Sequence, residues 1–158
     1  MRTWGLVSLV AQSRFFGGPV LTLDIKGRLT VPSKWRDQIN EQAGGKLVLT
    51  KDPANCLALY PPAVFAQLAE VVLKLTGADD DWRRIYLGST NELEIDSASR
   101  ILIPPELRRW AGFKENGSVI FMGVGTHFEL WDPARSEARE SQVIAKGKPE
   151  SLLNLVFQ

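Results

Sequence analysis

The sequence predicts an α+β protein built by duplication: two copies of a β-turn-β-helix-β-β unit related by a pseudo-two-fold axis, with flanking helices. Three observations support this. Leu23-Asp24-Ile25-Lys26-Gly27-Arg28-Leu29-Thr30-Val31-Pro32 returns as Ile95-Asp96-Ser97-Ala98-Ser99-Arg100-Ile101-Leu102-Ile103-Pro104, with Asp, Arg and Pro each displaced by 72 positions. The apolar run Leu47-Val48-Leu49 returns at the same step as Val119-Ile120-Phe121. After a one-residue slip, Leu57-Ala58-Leu59-Tyr60-Pro61-Pro62 returns as Phe128-Glu129-Leu130-Trp131-Asp132-Pro133. Any site built on such a repeat should exist in two versions.

The elements follow in chain order from period and punctuation. Residues 1–14 form an N-terminal extension: the run from Trp4 to Ala11 behind Met1-Arg2 has one positive charge and too short an apolar core for a strong export signal. Pro19–Ile25, Leu29–Val31, Leu47–Thr50 and Cys56–Tyr60 are short β-type runs separated by Gly, Pro, Asn or Asp turns. A helix over Ser33–Gln42 follows Pro32, a residue acceptable where a helix's first N–H groups are unpaired anyway. These elements make up a first repeat over residues 18–65. A helical linker spans residues 66–89. Its first helix, begun at Pro62 and running to Leu75, sets Val64, Phe65, Leu68, Val71, Val72 and Leu75 on one face. The second, Asp79–Leu87, places its acids at the positive end of the helix dipole. The second repeat, residues 90–133, has strands at Thr90–Ile95, Ile101–Ile103, Ser118–Met122 and His127–Trp131, and a helix over Pro105–Ala111 that Gly112 closes. Residues 134–158 are a C-terminal helix and a tail whose Leu152, Leu153, Leu155, Val156 and Phe157 should dock on this chain or on a neighbour.

Composition excludes several classes of function. With 158 residues, 44% of them hydrophobic, the chain can bury a real core. Lys and Arg number 19 against 18 Asp and Glu, so any basic surface has to be local. No stretch reaches the roughly 20 apolar residues of a membrane span, and no membrane partner is expected. The single cysteine, Cys56, excludes an intramolecular disulfide and suits a reducing cytoplasm; it reads as a small buried hydrophobe. No spacing for a metal site, phosphate loop or nucleophile–histidine pair occurs, so no cofactor is expected, and His127, the only histidine, reads as a packing or surface residue.

The duplicated motif has a mechanical reading. Asp24 and Asp96 can accept backbone N–H groups of their turns, and Gly27 can supply a positive φ, throwing Lys26 and Arg28 outward. Ser99 stands in the place of Gly27, where a left-handed backbone costs roughly 1 kcal/mol. Three uses of the motif compete. The acids can simply pair with Arg28 and Arg100 to hold the turns. Two symmetric aspartates also resemble an aspartic-protease dyad, but Lys26 beside Asp24 favours full ionisation over a shared proton. DNA binding fits the other charges better: from Asp24 to Arg36 the basic Lys26, Arg28, Lys34 and Arg36 face one acid, a local net of +3. Arg on a β-turn can fork onto guanine, and Lys can hold phosphate. In the second copy Arg100, Arg108 and Arg109 face Asp96 and Glu106, so the first should dominate.

Taken together, Phe15-Phe16-Gly17, Leu23-Asp24-Ile25-Lys26-Gly27-Arg28, Arg83-Arg84 with Leu87-Gly88, and Glu129-Leu130-Trp131 make residues 15–145 resemble the MraZ family of bacterial transcriptional regulators, which carry two SpoVT/AbrB-type repeats marked D-x-x-G-R-x-x-x-P. The resemblance implies a swapped-hairpin, AbrB-like β-barrel formed by the two repeats, and assembly into a ring-shaped homo-oligomer. It further implies binding of double-stranded promoter DNA at direct repeats upstream of the division and cell-wall gene cluster, usually as a repressor, in the cytoplasm at the nucleoid. Lys26 and Arg28 in the first motif and Arg100 in the second are the implied DNA contacts. Ser99 departs from the family motif and puts the second turn's role in question. A ring also explains how a modest net charge suffices, since linked contacts can raise avidity by ~10²–10⁴. The alternative is an AbrB-like antitoxin or interaction scaffold whose protein partner docks on the linker helix or tail.

Overall fold

The structure is a computed structural model that describes residues 14–157, so the expected N-terminal extension lies, but for Arg14, outside the described residues. The first repeat contributes β1 (Phe15–Gly17), β2 (Val20–Thr22), β3 (Arg28–Thr30), α1 (Ser33–Ala43), β4 (Lys46–Asp52) and β5 (Cys56–Tyr60). The linker holds α2 (Pro62–Leu73), a 3-10 turn at Gly77–Asp79 and α3 (Asp80–Gly88). Then come β6 (Asn91–Glu94), β7 (Arg100–Leu102), α4 (Pro105–Ala111), β8 (Ser118–Gly125), β9 (Phe128–Trp131), α5 (Pro133–Lys146) and α6 (Glu150–Leu153). Pro32, Pro61 and Pro104 stand just before α1, α2 and α4, and left-handed Gly44 and Gly112 close α1 and α4. Asp132 caps α5, its carboxylate accepting the Arg135 N–H at 3.1 Å.

Among the described residues every strand pairing is antiparallel, and all but the β4–β5 and β8–β9 hairpins cross between the repeats. A seven-stranded sheet runs β1-β8-β9-β5-β4-β6 with β2 also on β8, and β3 and β7 form a separate two-stranded ribbon. Thus β2 of the first repeat pairs with β8 of the second, and β6 of the second pairs with β4 of the first. The ribbon and the β5–β9 pair each join equivalent strands of the two copies. Backbone hydrogen bonds between the copies obey the same symmetry. Leu23 N–H donates to Gly117 C=O at 2.9 Å and Ile95 N–H to Gly45 C=O at 2.8 Å; Val31 N–H reaches Ser99 C=O, and Ile103 N–H reaches Gly27 C=O, both at 2.8 Å.

The core repeats as well. Leu29 and Ile101, Val31 and Ile103, Trp35 and Leu107, Ile39 and Ala111, and Leu49 and Phe121 are buried as symmetric pairs in one cluster. Phe15, Trp35, Phe121 and Phe128 form its aromatic centre, with Phe15 and Phe128 centroids 4.2 Å apart. β1 adds a strand that the sequence pattern does not predict. It seats because Gly123 on β8 has no side chain: a Cβ there would lie 2.6 Å from the Phe15 carbonyl carbon. On the sheet's other face, Val64, Phe65 and Leu68 of α2 cover Val48, Ala58 and Tyr60. Val72 is buried as the linker's periodicity predicts, but Val71 is 63% exposed, so the covered stripe is narrower than expected. The tail does not dock on this chain: Leu152, Leu153, Leu155, Val156 and Phe157 are all exposed.

Candidate nucleic-acid interface

Each motif folds as a three-residue hairpin loop. Gly27 N–H donates to Asp24 C=O at 2.9 Å, Asp24 N–H to Arg28 C=O at 3.0 Å, and Gly27 takes φ 86°. This is a turn followed by a left-handed residue, a common way to join antiparallel strands. Asp24 Oδ1 accepts the N–H groups of Lys26 at 2.9 Å and Arg28 at 2.8 Å, while Oδ2 pairs with Arg28 Nε at 2.8 Å. The second turn is built alike. Asp96 Oδ1 accepts N–H from Ala98 and Arg100, both at 2.9 Å, and Oδ2 pairs with Arg100 Nε at 3.1 Å. The Arg28 and Arg100 N–H groups, the largest cause, hold the Asp24 and Asp96 carboxyls below the usual range; desolvation opposes them, and the guanidinium bonds and charges add to the lowering.

Ser99 therefore occupies the left-handed position, with φ 63°, and the second turn keeps the shape of the first. The turns differ in their three loop residues, Ile25, Lys26 and Gly27 in the first against Ser97, Ala98 and Ser99 in the second, so only the first carries a charge there. A contact from the other repeat lies beneath the first turn. Arg108 of α4 packs over Gly27 so closely that a Cβ there would fall on its guanidinium. The first turn is thus supported by the second repeat, a contact hidden from the sequence because the hairpins are exchanged.

The ribbon brings the two arginines together. Leu29 and Ile101 face each other and are buried, which sends Arg28, Thr30, Arg100 and Leu102 to the outer face. Arg28 opposes Leu102 and Arg100 opposes Thr30, so the arginines are diagonal neighbours with Cα atoms about 7–8 Å apart. Their Nε groups bind the aspartates, and both side chains stay about a third exposed, at 31% and 32%. The turn-holding ion pairs read from the sequence are present. They orient each guanidinium while leaving its Nη edge outside the pairing.

The other basic residues divide. Lys26 is exposed, and among the described residues it has no acidic partner. Lys34 donates to Phe16 C=O at 3.1 Å and lies 4.4 Å over the Trp35 ring. Arg36 is half-buried and donates through an Nη to Val31 C=O at 2.9 Å, so it holds the end of β3. Arg36 and Arg108 are equivalent under the 72-residue step, and the Nε of each is buried without a partner. His127 stacks on Tyr60 at 4.6 Å, and burial lowers its pKa, which keeps a packed ring neutral.

The comparisons agree with the duplication. The family model described as "MraZ protein, putative antitoxin-like" matches residues 15–85 and again residues 86–151. A protein of Methylibium petroleiphilum named transcriptional regulator MraZ is 42% identical over 148 residues, covering 94% of this chain and 100% of the relative. Proteins of the same name from Burkholderia mallei and Burkholderia thailandensis are 42% identical over 143 residues, covering 90% of this chain and 99% of theirs. With both halves matched and nearly the whole length covered, the chain belongs to the MraZ family of transcriptional regulators, a non-enzymatic family, and carries two tandem MraZ repeats.

Proposed function

We propose that the chain is a sequence-specific regulator that binds double-stranded DNA at direct repeats in the promoter of the division and cell-wall gene cluster, as a repressor, in the cytoplasm at the nucleoid. The observation behind this reading is the pair of like-shaped turns flanking a ribbon whose outer face presents Arg28 and Arg100 side by side. Arg28 reads base edges, Lys26 holds phosphate, and Arg100 extends the same face. Lys34 lies at the margin as a phosphate contact, whereas the Val31 bond of Arg36 gives that residue mainly a supporting role. A ring of several protomers supplies the avidity that a net charge of +1 does not. The exchanged strands close as a swapped-hairpin β-barrel, supported by ribbon residues Leu29 and Ile101 sharing one core with Leu57, Phe121 and Leu130 of the sheet. Footprinting on the chain's own upstream region tests the proposal. Protection of spaced repeats, lost in Arg28→Ala, is expected; no protected repeat at physiological salt refutes it.

One observation favours a second reading, an antitoxin-like or scaffolding role. The exposed apolar tail from Leu152 to Phe157 is a surface that a protein partner could cover. Pull-down at high salt, where DNA contacts weaken, distinguishes the two.

A further inference from the structure

The side chains of Asp52, Cys56 and Glu129 converge on the outer face of the sheet. Asp52 ends β4 and Cys56 begins β5, paired across a hairpin whose turn includes Asn55 at φ 72°. Glu129, from the other repeat, lies on β9 opposite Ala58. Alternation sends Leu57, Leu59 and Leu130 into the core and Cys56 and Glu129 to the opposite face. One ligand atom from each of the three residues lies within 4.8 Å of the others. We propose that Asp52, Cys56 and Glu129 bind a divalent cation of the zinc class, joining the β4–β5 hairpin of one repeat to β9 of the other.

The chemistry of the cluster is unlike that of a cysteine packed in hydrocarbon. Cys56 is fully buried, and among the described residues its thiol has no side-chain hydrogen bond; it faces two carboxylates instead. None of the four ion pairs among the described residues includes Asp52 or Glu129. Arg139 is near enough for its charge to act on Cys56 and Glu129, yet it is not paired with either. With no ion pair offsetting the two carboxylates, a dication held among the three side chains would supply that compensation.

The carboxylates are also held from behind, as metal ligands usually are. Ala54 N–H donates to Asp52 Oδ1 and Trp131 Nε1 to Glu129 Oε1, both at 2.9 Å, leaving each a second oxygen for the ion. Zinc bonds of about 2.0–2.3 Å in tetrahedral geometry set ligand atoms about 3.4–3.7 Å apart, so closure needs shifts of only about 1 Å. The thiolate favours zinc-class ions over magnesium or calcium, and water completes the fourth position. A cleft of about 390 Å³ lies beside the hairpin turn, lined by the neighbouring Ala54, Asn55, Trp110, Trp131, Arg135 and Arg139. Binding releases the thiol proton, and any proton held by Glu129, to solvent.

Cobalt(II) titration of the untagged full chain tests this, because Cys56 is the only cysteine and a thiolate-to-cobalt charge-transfer band can have no other source within the chain. One cobalt per chain is expected, with that band and strong visible bands of four-coordinate cobalt, all displaced by zinc. Zinc should also raise the melting temperature. Cys56→Ser should abolish the charge-transfer band, and Asp52→Asn and Glu129→Gln should each weaken affinity at least tenfold. Asp52 is only half-buried, so Asp52→Asn keeps the test meaningful should the Cys56 variant fail to fold. A wild-type chain without the charge-transfer band at excess cobalt overturns the proposal. So does unchanged affinity in folded Asp52→Asn and Glu129→Gln.

Discussion

At the scale of single residues, the two turns differ in ways that separate backbone strain from DNA contact. Ser99 holds a left-handed backbone at φ 63°, a cost of roughly 1–2 kcal/mol that glycine avoids. Ser99→Gly also loosens the unfolded chain by roughly 0.4–1 kcal/mol. A net gain between about 0 and 1.6 kcal/mol is therefore expected as a higher melting temperature. Gly27→Ser should destabilise by about the same strain, with Arg108 swinging its guanidinium aside to admit the new Cβ. A lower melting temperature for Ser99→Gly would show that the serine makes a compensating contact. Arg28→Ala should reduce discrimination between operator and random DNA by roughly 1–3 kcal/mol per engaged protomer. Unchanged operator affinity in competition binding would remove Arg28 from the base-reading role.

At the scale of the elements, the ribbon and its turns act as one unit whose charge can be adjusted. Ala98 stands where the first turn carries Lys26, so Ala98→Lys should steepen the salt dependence of DNA binding, by about 0.9 in logarithmic slope for each additional phosphate neutralised. Lys26→Ala should flatten it by the same step, and slopes measured across a salt series check both. The aspartates give the unit a pH dependence. Both carboxyls lie lower in the fold than the ordinary value of 3.8, so their stabilisation is present above that value and lost as pH falls through the depressed folded values. Acid unfolding of Asp24→Asn and Asp96→Asn, followed by circular dichroism, should show a weaker loss of stability below that value than the parent does. The ribbon's buried side, Leu29 and Ile101, was legible from alternation. Its pairing was not, since a three-residue strand fits several partners equally well.

For the whole molecule, the exchange of hairpins makes the repeats interdependent. β2 and β6 each find their sheet partner in the other copy, so neither half alone closes the core. Separate fragments of residues 14–75 and 76–157 should be largely unfolded, and mixing them should restore the dispersed NMR spectrum of the intact chain. Independently folded fragments would contradict that interdependence. The exposed tail bears on assembly: sedimentation should show a species well above the chain's 17.6 kDa, and deleting residues 146–158 should shift it to smaller size if the tail is interface.

The duplication, the strands from β2 onward and the shared turn chemistry are legible in the chain alone, because side-chain alternation, proline and glycine punctuation and the Asp-to-Arg spacing act over a few residues. Cys56–Tyr60 and Pro105–Ala111 fall where those signals put them. Which strand pairs with which, the common face of Arg28 and Arg100, the packing of Arg108 under the first turn, and the meeting of Cys56 with Asp52 and Glu129 emerge only in the packed fold. Range separates the two. Local patterns settle which face of a strand is buried, whereas its neighbour is selected by packing of the whole core, and here that packing joins residues from opposite repeats.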